Sequence, residues 1–289
     1  MIKKLKKIFN ILLNLENIIN STSITNHLKY SAVNSKEIGI TNNKESNLIV
    51  SLTSYSIRVL EVYLVVESLF NQTLKADKII LWLDENEFSD DTIPNILKKQ
   101  TERGLEIKYC KNIKSYKKLI PTLKLYPNST IITVDDDILY PVDFIENFVS
   151  SHKKYPNTVL CNIGREIPND KEKRKFYKNW DYADNFNQPK KEIVPIGAGG
   201  VLYPPHCFYK DILIEEKFMN LAPSADDIWF KAMTLKNNVE SIVLGDINKY
   251  LNKIVILEEA QEIALFNENI RKNDEQIKKV FEEYNLFID

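Results

Sequence analysis

Asn128-Ser129-Thr130-Ile131-Ile132-Thr133-Val134-Asp135-Asp136-Asp137-Ile138-Leu139-Tyr140-Pro141 is the stretch on which the reading of this chain turns. Residues 130–134 are a short β-branched, apolar run after Pro127-Asn128, the pattern of a buried strand. The run ends in three consecutive carboxylates. Three like charges at a strand end repel one another and cannot be buried unpaired. Two environments tolerate them: open water around an acidic turn, or a divalent cation. Hard cations such as Mg²⁺ and Mn²⁺ take oxygen ligands and bridge one or two carboxylates to substrate phosphates. In an extended chain Asp135 and Asp137 point one way and Asp136 the other. The spacing therefore favours Asp135 and Asp137 as the pair on the ligand side, if the triplet is more than a solvated acidic turn, and leaves Asp136 the most tolerant of change.

Upstream, apolar strand runs alternate with helical patterns. Strands are expected over 48–52, 78–83 and 105–109, and helices over 59–70, near 93–103, and over 115–126, the last kinked or started late by Pro121. Gly104 is placed to end the second helix. Such alternation implies a mostly parallel sheet with helices on its faces, where ligands bind beyond the carboxyl ends of the strands. Thr53, Tyr55, Arg58, Asp84 and the acidic triplet then gather along one edge, within reach of the turn at 115–118.

Downstream, a helix is expected over 142–155 and a strand over 159–163. Residues 165–192 are charged and aromatic without a period, the mark of a functional or mobile excursion. Within it Tyr177, Trp180 and Tyr182 either stack on a ligand's rings or fasten a lid. Three of the chain's seven glycines are Gly197, Gly199 and Gly200. Clustered glycine permits close backbone approach and positive φ, as a bulky ligand in a narrow cleft or a β-bulge requires. Ser224-Ala225-Asp226-Asp227 opens a further helix and fits a cap with Ser224 at the N-cap. From residue 258 the chain reads as a charged helix or pair of helices.

The first twenty residues carry Lys3, Lys4, Lys6 and Lys7 ahead of an asparagine-interrupted apolar run, too short to span a bilayer. A basic amphipathic helix fits, lying on an anionic membrane surface or packed on the protein body. Residues 21–46 are rich in Ser, Thr and Asn and read as a linker. Of 289 residues, 44% are hydrophobic and 27% charged, and the net charge is −1. That composition is ordinary for a globular domain and gives no basic signature of nucleic-acid binding. Three dispersed cysteines and three histidines argue against a disulfide framework or a zinc centre.

Taken in order, Ser51-Leu52-Thr53-Ser54-Tyr55, residues 78–83, Tyr116-Lys117-Lys118-Leu119-Ile120-Pro121, residues 134–137, residues 197–205 and Ala225-Asp226-Asp227-Ile228-Trp229 resemble the GT-A-fold glycosyltransferases. The closest resemblance is to bacterial family-2-like enzymes of surface-polysaccharide synthesis (capsule, lipopolysaccharide), and it covers about residues 47–235. The fold it implies is α/β, GT-A-like (Rossmann-like): a mostly parallel central sheet flanked by helices, with helical N- and C-terminal extensions. The implied domains are 1–46 (basic helix and linker), 47–250 (catalytic, with a nucleotide-binding half 47–140 and an acceptor half 141–250) and 251–289 (helical extension).

The resemblance also implies roles. Asp135 and Asp137 look like the outer members of a DxD motif holding Mn²⁺ or Mg²⁺ on a nucleotide-sugar diphosphate, with Asp136 facing the ribose or supporting the turn. Thr53, Tyr55, Arg58 and Asp84 match positions that hold base and ribose, and Lys117 or Lys118 touches phosphate or uracil. Gly199 and Gly200 belong to the segment under the donor sugar. Asp227 matches the catalytic base and Asp226 a group orienting the acceptor. The activity implied is metal-dependent, inverting transfer of a hexose from a UDP-type sugar to a hydroxyl of a glycan or lipid-linked glycan. Its place is the cytoplasm, peripherally on the inner face of the cytoplasmic membrane through residues 1–20. Two rivals share parts of this pattern. A nucleotidyltransferase opens with a glycine-rich phosphate loop, and 53–58 contains no glycine. A non-catalytic glycan-binding protein on a degenerate GT-A fold would have shed its acids, and Asp135, Asp137 and Asp227 are all present.

Overall fold

A computed structural model describes residues 2–41, 47–174, 176–184, 188–257 and 266–286. Its centre is a seven-stranded sheet in the order β10-β6-β9-β4-β1-β2-β3. Four strands are β1 (Leu48–Thr53), β2 (Lys78–Asp84), β3 (Leu105–Cys110) and β4 (Thr130–Thr133). β1, β2 and β4 are runs of β-branched or apolar residues buried on both faces, as parallel strands under helices must be, while β3, at the sheet's edge and carrying Glu106 and Lys108, is mostly half-buried. They pair in parallel, with β1 between β2 and β4. The chain thus builds outward from β1 to β3, then returns to the other side of β1 for β4. The strand order reverses between β1 and β4, the switch point at whose carboxyl ends sheets of this kind bind ligands.

The second half of the sheet adds β6 (Val159–Cys161), β9 (Val201–Tyr203) and β10 (Ser241–Val243). Only β9 runs against its neighbours, pairing antiparallel with both β4 and β6. Its reversed direction matters: the start of β9, and with it the glycine cluster, falls on the same edge as the end of β4. Two small antiparallel pairs flank the sheet, β5 (Ile138–Leu139) with β11 (Val255–Ile256) and β7 (Gly164–Glu166) with β8 (Ile193–Pro195).

Helices α2 (Val62–Phe70), α3 (Asn95–Thr101), α4 (Ile120–Leu125), α5 (Phe144–Lys154), α6 (Lys171–Arg174), α7 (Glu215–Leu221), α8 (Asp226–Lys236) and α9 (Ile247–Leu251) follow α1 (Ile2–Asn34). A last helix, α10, spans Phe266–Tyr284 and buries Ile277, Val280, Phe281 and Tyr284 in the core shared with α8.

Three expectations need correction. The helix expected over 115–126 is split: a 3₁₀ turn, Lys114–Lys118, precedes α4, and Pro121 sits in the first turn of α4, where its missing N–H costs nothing. Residues 21–34 are helical and not linker, because Leu28 and Ala32 bury one face against the body and Ser31 Oγ donates to Glu67. Polar sequence stays helical there through tertiary contact. Residues 165–184 are not structureless either. They hold β7, α6 and a 3₁₀ turn at Tyr177–Asn179, tied down by Asp274 on α10, which accepts the Tyr177 N–H at 2.7 Å. Phe186 and residues 42–46, 258–265 and 287–289, which fall in regions assigned above, lie outside the described residues.

Candidate active site

The acidic triplet lies just past the last paired residue of β4, in the turn leading to β5. The two-residue alternation of a strand therefore does not govern its side chains; local partners do. Asp136 is the most enclosed of the three. It accepts from Ser54 Oγ at 2.7 Å and from Arg58 Nη1 at 2.7 Å. Arg58 Nη2 reaches Asp137 at 2.5 Å, so one guanidinium straddles two neighbouring carboxylates. Asp136 is thus an anchoring residue, against the expectation that it would be the most tolerant. Asp135 turns elsewhere, to Lys118 Nζ at 3.0 Å, while its backbone N–H donates to Tyr140 Oη. The segment is closed from the far side of the chain: the Leu257 N–H donates to the Asp137 carbonyl at 2.8 Å.

Lys118 links the two acidic clusters. Its Nζ is 3.0 Å from Asp135 and 3.1 Å from Asp226 Oδ2, the latter a charge contact without hydrogen-bond alignment. Gly197 passes directly over it. A Cβ at residue 197 would stand 2.6 Å from Lys118 Nζ and 3.3 Å from Asp227 Oδ1, so a side chain there would push the lysine amine off its carboxylates. The Gly197 N–H donates to Asp227 Oδ2 at 3.1 Å. Gly200 sits at φ +75, with Phe144 where a side chain would go. The Gly199 carbonyl accepts from Tyr250 Oη at 2.9 Å and from Asn162 Nδ2 at 3.0 Å, which fixes the loop between β8 and β9.

The electrostatics follow from this crowding. Burial first, then the charge of Asp226, pushes the Asp227 carboxyl up to about 7, against the pull of Lys118 and the Gly197 N–H. Burial raises Asp136 to about 6, with Arg58 and Ser54 opposing. Asp137 is raised by burial and by Asp135. Burial pulls Lys118 down, but Asp135, Asp226 and Asp227 outweigh it and lift the amine well above its ordinary value.

Other expected site residues stand at the same edge with other duties. Asp84, at the end of β2, is buried and accepts from the Asn86 N–H at 3.0 Å, closing its own turn. Thr53 Oγ1 donates to the Trp82 carbonyl at 2.8 Å. The Tyr55 ring lies 5.4 Å from the Arg58 guanidinium. Lys117 is buried between the Asp84 side and the triplet; burial lowers its pKa, opposed chiefly by Asp84. Asp226 and Asp227 open α8, but the helix is not capped by Ser224: the N-cap is Ala225, and Ser224 bonds Gln276 of α10. Trp180 is fully buried with its Nε1 on the Arg174 carbonyl, so it fastens the excursion. Tyr182 is 49% exposed and covers Arg165 at 4.5 Å.

Sequence reasoning missed Ser54, Tyr140, Asn162, Tyr250 and Gln276. Ser54 had a signal, lying beside Thr53 at a strand end. Asn162, Tyr250 and Gln276 act through side-chain contacts made across 37 to 52 residues, and Tyr140 across the turn that follows the triplet, which no local pattern marks.

The donor chemistry of the triplet fits a hard divalent ion, since Asp135 and Asp137 offer only carboxylate oxygens. Among the described residues no three His, Cys, Asp or Glu side chains form a ready-made cage.

No family model matches the sequence, and no curated protein does. Solved structures do match. A mannosyltransferase from Pyrobaculum calidifontis, determined with GDP-Man and Mn²⁺, aligns over 94% of this chain and 74% of its own, with TM-score 0.50 and 12% identity. TarS residues 1–349 from S. aureus align over 69% of this chain at TM-score 0.44 and 15% identity, and their complex with UDP-GlcNAc at 0.46 and 14%. The chain spans 58% of that TarS fragment. At these identities the likeness is one of fold. The fold is the mixed α/β, mostly parallel architecture of the GT-A glycosyltransferases, as the sequence led one to expect.

Proposed function

We propose that this chain is a metal-dependent, inverting glycosyltransferase that moves a hexose from a nucleotide-sugar, of UDP type, to a hydroxyl of a bacterial surface glycan. The observation that carries the reading is one juxtaposition. At the switch point of a GT-A sheet, an acidic triplet and a second acidic pair are joined through one buried lysine, Lys118, directly beneath Gly197. The nucleotide-sugar and Mn²⁺ bound by the Pyrobaculum mannosyltransferase support it.

In this reading Asp135 and Asp137 hold Mn²⁺ or Mg²⁺, which when bound neutralises charge on the departing nucleoside diphosphate. Residues 47–140 hold the nucleotide, through Thr53, Tyr55, Arg58, Asp84, Lys118 and Asp136, and residues 141–250 the acceptor. Gly199 and Gly200 lie under the donor sugar. Asp227, ionised, takes the proton of the acceptor hydroxyl as its oxygen bonds the anomeric carbon and the bond to the diphosphate breaks. The Gly197 N–H orients that carboxylate, and Asp226 positions the acceptor. Attack from the face opposite the leaving group inverts the anomeric centre. Purified protein with Mn²⁺ is expected to release UDP from some UDP-sugar, with GDP-sugars as the comparison. Asp137→Ala is expected to abolish this. Undiminished activity in EDTA overturns the metal assignment, and metal-dependent UDP binding without any turnover favours the non-catalytic rival.

Residues 1–20 are read as a contact with the anionic inner surface of the cytoplasmic membrane. No helix among the described residues is long and apolar enough to cross a bilayer. Yet Leu15, Ile18, Ile19, Tyr30 and Val33 of α1 are exposed, off the face that docks through Leu28 and Ala32. Four lysines precede that stripe in the sequence. Co-sedimentation with anionic but not zwitterionic vesicles, lost when Lys3, Lys4, Lys6 and Lys7 become Gln, is the expected result.

A further inference from the structure

The carboxylates assigned to the metal already hold side-chain cations. Arg58 spans Asp136 and Asp137 at 2.7 and 2.5 Å, and all three side chains are largely withdrawn from water. Lys118 holds Asp135. A divalent ion on Asp137 would stand beside the guanidinium, and like charges at contact range in a poorly hydrated cleft repel strongly. Arg58 and the ion therefore compete for one carboxylate.

The two resident cations differ in their freedom to leave. Lys118 is buried, pinned between Asp135 and Asp226 beneath Gly197. Arg58 belongs to a 3₁₀ turn, Ser56–Leu60, entered through Ser56 at φ +50. Ile57 and Leu60 of that turn are 57% and 60% exposed, and Val59 is its one buried residue. Val59 is the one side chain by which this turn enters the core.

We propose that Arg58 is an exchangeable counter-ion of the metal subsite. Without metal it neutralises Asp136 and Asp137; on metal binding it gives up Asp137; and the donor's diphosphate oxygens then supply its new partner. The inference rests on reading the cleft as a nucleotide-sugar site. It makes metal and nucleotide binding cooperative, because only the diphosphate compensates the displaced guanidinium. It differs from a base- or ribose-binding duty for Arg58, which predicts no effect on metal affinity.

The test is Mn²⁺ binding to the full chain, followed by calorimetry and by the electron-spin resonance of free Mn²⁺, with and without UDP. Arg58→Gln is expected to bind Mn²⁺ alone about tenfold more tightly than the natural protein, as removal of a neighbouring like charge implies. The same variant is expected to bind UDP in the presence of Mn²⁺ about tenfold more weakly, for loss of a charge-assisted phosphate contact. Opposite signs cannot come from a general loosening of the fold. Unchanged or weaker binding of Mn²⁺ alone, at natural melting temperature and circular dichroism, overturns the proposal. Should Arg58→Gln not fold, Arg58→Lys decides. A lysine cannot span both carboxylates, so tighter Mn²⁺ binding supports the exchange and equal or weaker binding overturns it. If the natural protein binds Mn²⁺ but neither UDP nor GDP, the nucleotide-sugar reading fails, while the exchange is still judged on the metal alone.

Discussion

Two buried ionic clusters in this protein use the same chemistry to different ends. In the first, Glu67 of α2 meets Arg103 in a fork, 2.8 and 3.0 Å long, and also accepts from Gln100 and Ser31. One negative charge faces one positive charge, and both carboxylate oxygens are bonded. This cluster ties α1, α2 and the end of α3 together and leaves nothing for a ligand. In the second, Asp135, Asp136, Asp137 and Asp226 share Arg58 and Lys118 as ion-pair partners, and Asp227 lies beside them within the field of Lys118. Acid is in excess, and the carboxyl groups of Asp136, Asp137 and Asp227 are pushed toward holding protons. A balanced cluster is structure. An unbalanced one on the carboxyl edge of a parallel sheet is a site that a cation completes.

The sharpest way to separate the two is to remove one acid from each. Asp227→Asn is expected to lower turnover by about 10²–10⁴-fold, the usual contribution of a general base, without lowering the melting temperature. Steady-state kinetics and thermal melts read the two effects. Glu67→Ala is expected to do the reverse, costing about 3–5 kcal/mol of stability by stranding Arg103, with turnover per folded molecule unchanged. Denaturant unfolding measures it, and a stable but inactive Glu67 variant would erase the distinction.

A smaller effect comes from pH. The Asp227 carboxyl, raised from 3.8 to about 7, must be ionised to act as base. The ratio kcat/KM is therefore expected to rise up to about pH 7 and to fall about tenfold per unit below it. Stability moves the other way. The folded protein holds that proton more tightly than the unfolded chain, so this group withdraws stability as pH climbs from 3.8 toward 7. Melting curves across that range should be flatter for Asp227→Asn. The smallest effect is expected from Gly197→Ala, whose methyl displaces the flexible end of Lys118. Activity should fall by about tenfold, with stability lowered by no more than about 1 kcal/mol.

Much of this was legible in the sequence because the physics is local. The runs at 48–52, 78–83, 105–109 and 130–134 became β1 to β4, since β-branched apolar stretches between turn residues have few other ways to be buried. The edge on which Thr53, Arg58, Asp84 and the triplet meet followed from parallel topology alone. The partners within that edge did not. Arg58, expected at the base or ribose, spans Asp136 and Asp137, and Ser224, expected to cap α8, binds Gln276. Each of those choices is set by a residue between roughly 50 and 80 positions away.

The sequence by itself determined the alternation of strands and helices, the acidic triplet at a strand's end and the scarcity that made three clustered glycines conspicuous. Only the tertiary structure decided that β9 runs backwards, and so brings Gly197 over Lys118 and joins the triplet to Asp227. Periodicity fixes which residues an element buries. The direction in which a strand is inserted, and the partner each buried charge takes, depend on the rest of the chain being in place.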